Sequence, residues 1–256
     1  MNRSERAIAL TVVLAGLLAA CGDPAGTSGA SSVAAAPTTL SPKTISPTYA
    51  PVVHPADFST VIDNPYFPLV PGTRTVFEGP TPDGRERDVV EVTRDTKIVM
   101  GVTTRVVHDV VSVDGKPEEE TWDWYAQDRA GNVWYFGEDT RKLGGPTVDT
   151  SGSFQAGVDG ALPGIVMEAR PVVGDRYRQE YAKGEAEDTG EVVDLDGSAT
   201  LRGGTRHGLL VTEDVNPLDP AAAVEHKYFL RGIGFVLVEH VTGPPERVEL
   251  VATQRF

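Results

Sequence analysis

The spacing of apolar residues constrains this chain most. From Arg87 onward they come in short, valine-rich runs that alternate with polar residues: "RDVVEVT" (87–93), "TTRVVHDVV" (103–111), "EVVDLDG" (191–197), "HGLLVTEDV" (207–215) and "RVELVATQRF" (247–256). A period of two sends successive side chains to opposite faces of a strand, and β-branched residues fit that pleated surface. No long stretch carries the three-to-four spacing of an amphipathic helix. Turn signals separate the runs, among them Pro82-Asp83-Gly84, Asp114-Gly115 and Asp196-Gly197. The sequence therefore predicts a mainly β fold of antiparallel sheets.

The runs also repeat. "VPGTRTVFE" (70–78) parallels "VVGDRYRQE" (172–180), "KIVMGVTTRVVHDVV" (97–111) parallels "ATLRGGTRHGLLVTEDV" (199–215), and "DWYAQDRAGNVWYF" (123–136) parallels "HKYFLRGIGFVLV" (226–238). This points to two related β halves, residues 53–139 and 172–256, that form one domain as a curved sheet or half-barrel. Residues 140–171, rich in glycine, are expected as a connecting loop that could act as a lid.

The N-terminus carries a different signal. Arg3 and Arg6 precede an apolar run from Ala7 to Ala20, too short to cross a bilayer and of the length of a signal-peptide core. The run ends in Leu18-Ala19-Ala20-Cys21, and Cys21 is the chain's single cysteine. This order resembles the bacterial lipobox. The resemblance implies removal of residues 1–20, acylation of Cys21, and a membrane anchor facing the extracytoplasmic side. Two or more acyl chains give stable attachment. With Cys21 acylated, no thiol is left for disulfides, metal ligation or nucleophilic catalysis. Residues 22–52, made mostly of Ala, Ser, Thr, Pro and Gly, are expected as a disordered tether.

Without residues 1–20 the chain has 21 basic and 36 acidic side chains. That excess repels nucleic acid. It permits a cationic or polar ligand.

The densest aromatic stretch is "TWDWYAQDRAGNVWYFGED" (121–139), which holds all three tryptophans. Asp128 and Gly131 have the spacing of a type I turn followed by a left-handed glycine, so the stretch reads as a hairpin. Alternation puts Trp122, Trp124 and Ala126 on one face and Asp123, Tyr125 and Gln127 on the other. On the return strand Trp134 and Phe136 oppose Val133 and Tyr135. One aromatic face is core. The other, with Asp123, Tyr125, Gln127 and Tyr135, is either a platform for a polar or carbohydrate ligand or a second packed face.

Other constellations are sparse. No histidine pair has zinc-enzyme spacing, and neither a nucleophile elbow nor a phosphate loop is present. No cofactor is expected. Glu185, Glu187 and Asp188 in "GEAEDTGE" supply oxygen donors that could hold Ca²⁺, without the ordered spacing of an EF-hand.

The stretches "NPYFPLVPGTR" (64–74), "DWYAQDRAGNVWYFGEDT" (123–140), "AGVDGALPGIVM" (156–167) and "VEHKYFLRGIGFV" (224–236) resemble a group of bacterial secreted proteins and lipoproteins. That resemblance implies a β-rich fold and brings no catalytic residue with it. Three functions remain open: a non-enzymatic envelope module for a polar or carbohydrate ligand, a carrier of lipid or another hydrophobic ligand, and a carboxylate hydrolase.

Overall fold

The computed structural model describes residues 43–256, with residues 47, 144, 146 and 220 left out. The signal segment, Cys21 and the tether as far as residue 42 lie outside the described residues. Among the described residues there is no α-helix, only a 3-10 turn at Pro55–Asp57. The strands are β1 (Phe58–Ser59), β2 (Thr73–Thr81), β3 (Gly84–Val99), β4 (Val102–Val113), β5 (Lys116–Asp128), β6 (Val133–Lys142), β7 (Phe154–Gln155), β8 (Leu162–Met167), β9 (Arg176–Arg178), β10 (Glu180–Tyr181), β11 (Thr189–Leu201), β12 (Gly204–Val215), β13 (Glu225–Leu230), β14 (Gly234–His240) and β15 (Arg247–Arg255). All pair antiparallel in one sheet, ordered β10-β8-β6-β5-β4-β3-β2-β15-β14-β13-β12-β11-β9.

The two ends of that order are consecutive in the chain. β9 pairs with β11 at one edge, and β10 pairs with β8 at the other. Only Gln179 separates β9 from β10, so the segment from Arg176 to Tyr181 bridges the two edges and nearly closes the sheet into a barrel. The crossing is tight. A Cβ on Gly164 of β8 would stand 2.2 Å from the backbone oxygen of Gln179, a contact that only glycine avoids. Lys43 and Tyr49 lie across this seam. Lys43 Nζ donates to Glu168 at 2.6 Å, and the Tyr49 hydroxyl donates to the Pro163 carbonyl at 2.7 Å. The stretch expected as tether thus docks on the barrel before residue 52.

Residues 140–171 differ from the expected loop. β8 is a strand of the wall, paired with both β6 and β10. Its glycine and proline content reads as a loop, yet here glycine serves the close crossing. Asp196-Gly197 is also no turn. It lies inside β11, where the register shifts, and the hairpin turns at Arg202-Gly203 instead.

The interior has two levels. At one level Val92, Val107, Tyr125, Tyr135, Leu210 and Phe229 meet from facing walls, with Ile62 and Phe67 inserted from the segment before β2. At the other level the inward positions carry acids. Outside the wall, the tip of the β3–β4 hairpin folds over β5 and β6. There it buries Val99 and Val102 against Trp124 and Phe136, and Lys97 Nζ sits 3.1 Å from the Trp124 ring centre.

Candidate functional site

The four residues singled out as a candidate ligand platform are placed by the β5–β6 hairpin. Its turn forms as the sequence implies: Gly131 has φ +96°, and Asp128 accepts from the Asn132 backbone N–H and from Trp134 Nε1, both at 2.9 Å. Asp123, Tyr125 and Tyr135 point together, but into the barrel, each 3 % exposed. The open aromatic strip is therefore absent, because closure of the sheet brings the opposite wall over that face. Tyr125 stacks on Tyr135 at 4.9 Å, and Phe67 packs on Tyr125 at 5.6 Å. Gln127 has a different task. Its side-chain oxygen accepts from the backbone N–H of Asp63 and of Asn64, both at 2.9 Å, and so pins the segment before β2.

The Tyr135 hydroxyl lies 2.6 Å from Asp123 Oδ1 and 2.8 Å from Glu138 Oε2. A hydroxyl carries one proton and can donate to only one of them. The other carboxyl must be protonated and donate in return. Burial is the main reason that Asp123 is pushed up to about 7 and Glu138 well above its ordinary range. Asp88 and Asp109 stand nearby on β3 and β4 and are also raised, by burial first and then by neighbouring carboxylates such as Asp123. Oδ1 of each has no hydrogen-bond partner. This is a neutralised acid cluster in the wall from β3 to β6. Asp123 and Glu138 face each other as a hydrolase pair would, but the shared hydroxyl occupies the space between them.

The Ca²⁺ candidates do not converge. Glu185 accepts from the Gly152 N–H, Glu187 accepts from the Gly184 N–H, and Asp188 is buried. The histidine and carboxylates that do meet are Glu225, His240 and Glu246. Sequence spacing hides them, since they are 15 and 6 residues apart: the β13–β14 register joins Glu225 to His240, and a backbone hydrogen bond joins His240 to Glu246.

A pocket of about 450 Å³ opens at the other level of the interior. Phe77 and Phe235, packed at 5.0 Å, form its floor, and Val90 and Val92 of β3 form one side. Leu69 and Val70 form the facing side, and exposed Val70 and Ile233 stand at the rim with Thr253 and Arg255. The volume falls in the range of small-molecule sites. Its outer wall is held by Asn64, which is 2 % exposed: Nδ2 donates to the carbonyls of Gly131 at 2.9 Å and Glu168 at 3.1 Å. The motif "NPYFPLVPGTR" thus encodes part of the pocket lining, whereas the sequence offered it only as a stretch shared with a bacterial group.

No protein-family model matches the chain, and no curated protein does. Two solved structures are similar in shape. One is a protein from Bacteroides fragilis assigned as exported, with a YmcC-like fold. It is 14% identical over 74% of this chain and 99% of its own, with a TM-score of 0.44. The second is a protein from Parabacteroides distasonis assigned as a lipoprotein, 10% identical over 74% of this chain and 98% of its own, with a TM-score of 0.39.

Proposed function

We propose that the protein is an exported, non-enzymatic binding module, anchored through Cys21 to the extracytoplasmic side of a bacterial membrane, and that it carries an amphiphilic small molecule. The supporting observation is the pocket. Most of its lining is apolar, whereas exposed Thr253, Gln254 and Arg255 add polar and cationic groups. An apolar chain with an anionic or hydroxylated head matches that polarity. Lining side chains include no carboxylate, imidazole or thiol that could serve as nucleophile or base. Exposed Val70 and Ile233 beside the opening are the kind of surface that contacts a partner or ligand. A carbohydrate platform has less support, because its aromatic residues are inside.

The test is a filled pocket. Thr75 is partly buried on β2 and lines the cavity. Thr75→Trp should abolish binding of a fluorescent fatty acid while the melting temperature stays near that of the parent. Equal binding by parent and variant would refute the carrier reading. Cys21→Ser should move the protein out of the membrane fraction; a processed variant that stays there would refute the anchor.

A further inference from the structure

We propose that Glu225, His240 and Glu246 form a binding site for one divalent transition-metal ion, zinc being the best match. The site is independent of the pocket. β14 begins beside the pocket at Gly234 and ends at His240, so about 20 Å separate the two at ~3.3 Å per residue.

The strands assemble the donors. Glu225 of β13 pairs directly with His240 of β14, and the His240 backbone N–H donates to the Glu246 carbonyl at 3.1 Å. The ring is oriented by its other nitrogen: Nδ1 lies 2.8 Å from the Pro244 carbonyl, so Nδ1 carries a proton. Metal-bound histidines commonly hold their second nitrogen in this way. Nε2 then faces Glu225 Oε1 at 3.4 Å and Glu246 Oε1 at 3.6 Å.

These distances are compatible with a metal ion between the donors. An imidazolium bonded to a carboxylate stands about 2.7–2.9 Å away. Donors about 2.0–2.2 Å from a tetrahedral zinc ion stand roughly 3.3–3.6 Å from one another. All three donor atoms lie within 4.8 Å of one another. Charge points the same way. Glu225 and Glu246 are buried beside one imidazole. A divalent ion with a neutral imidazole and two carboxylates leaves no net charge. An imidazole nitrogen among the donors favours a transition metal over Ca²⁺ or Mg²⁺.

A second observation lies next to the triad. Glu86, at the start of β3, is 3 % exposed, and its Oε1 has no hydrogen-bond partner. Glu246 and Glu225 are among the charged groups it feels most strongly. Glu86 is the group from which a fourth donor could come. Between β14 and β15, residues 241–245 are exposed and give an ion access from solvent.

The experiment uses the mature protein, freed of any histidine tag and stripped with chelator. Titration with ZnCl₂ should show one site by calorimetry and elemental analysis, and CaCl₂ should show none. Zinc should raise the melting temperature of the parent. His240→Gln should weaken zinc binding by more than about 100-fold, since loss of a mere supporting group already costs 10–100-fold. Should His240→Gln fail to fold, Glu225→Gln serves as the second variant. Co²⁺ absorption in the parent then reports nitrogen and oxygen ligation directly. Zinc binding that is absent in the parent, or unchanged in a folded His240→Gln or Glu225→Gln protein, overturns the proposal.

Discussion

Gly72 and Gly174 open two parts of the molecule in the same way. The Gly72 N–H donates to Val92 at 2.8 Å, and the Gly174 N–H donates to Val192 at 2.7 Å. Each part continues into a long hairpin, β3–β4 turning at Met100-Gly101 and β11–β12 turning at Arg202-Gly203, and each tip bends over the outside of the next hairpin. The first tip covers Trp124 and Phe136; the second reaches β15, where the Arg202 N–H donates to Glu249 at 3.1 Å. Their interiors differ. From β3 to β6 the acids Asp88, Asp109, Asp123 and Glu138 are buried together, and Asp123 and Glu138 share the Tyr135 hydroxyl. From β12 to β14 the acids face bases: Lys227 Nζ is 3.1 Å from Asp214, and His240 faces Glu225. The two walls bury carboxylates in different ways: burial favours the protonated form in one, and Lys227 gives Asp214 a counter-charge in the other.

The largest effect should come from removing the counter-charge. Lys227→Met leaves Asp214 buried beside Gln179 alone, and breaking such a pair costs about 3–5 kcal/mol. A fall in melting temperature of roughly 10 °C or more is expected at about 2–4 °C per kcal/mol. A loss under 2 °C by calorimetry would erase the contrast between the walls.

The next effect is on pH dependence. Asp123 and Glu119 are both raised to about 7, burial being the first cause in each. A carboxyl with a raised folded-state value holds its proton more tightly when folded. Its contribution is complete below the unfolded value near 4, and is lost as pH climbs through about 7. The melting temperature should therefore rise as pH falls from 8 to 5.5. A fall over that interval would show that these acids are ionised.

Smaller again is Tyr135→Phe, which removes the hydroxyl between Asp123 and Glu138. A loss of about 1–3 kcal/mol is expected, together with a different slope of stability against pH; a loss without any change of slope would mean that the proton is not shared there. Smallest is Asp109→Asn. An amide needs no proton to stay neutral, so at pH 8 the variant should melt within about 2 °C of the parent or slightly above it. A loss as large as that of Lys227→Met would make the two walls alike.

Much of the hairpin was legible in the residues. Trp124 and Phe136 do oppose Tyr125 and Tyr135, and Asp128 does hold the turn, because alternation and turn chemistry are local. Closure was not legible. The pairing of Arg176–Tyr181 with both edges joins distant segments, and no local pattern announces it. The fate of Tyr125 followed from that pairing. The acid level was hidden for a related reason. In an alternating run such as "RVVHDVV", Asp109 reads as an outward polar residue, and only the opposite wall shows that its side is the inside. The pocket wall was seen as a shared motif without a shape, and His240 was set aside because its partners are not neighbours in sequence.

The seam at Gln179 also bears on how the protein behaves among its own copies. A sheet edge offers a row of unpaired N–H and C=O groups onto which another chain can grow as a further strand. Here the segment from Arg176 to Tyr181 divides its backbone between the start of β11 and the start of β8, so one short stretch covers part of both edges of the sheet. Copies crowded together on a surface then have less free strand edge on which to template one another. Opening the seam would uncover two templates at once, which makes the fit of Gly164 against Gln179 a safeguard against fibre-like association as well as a point of closure.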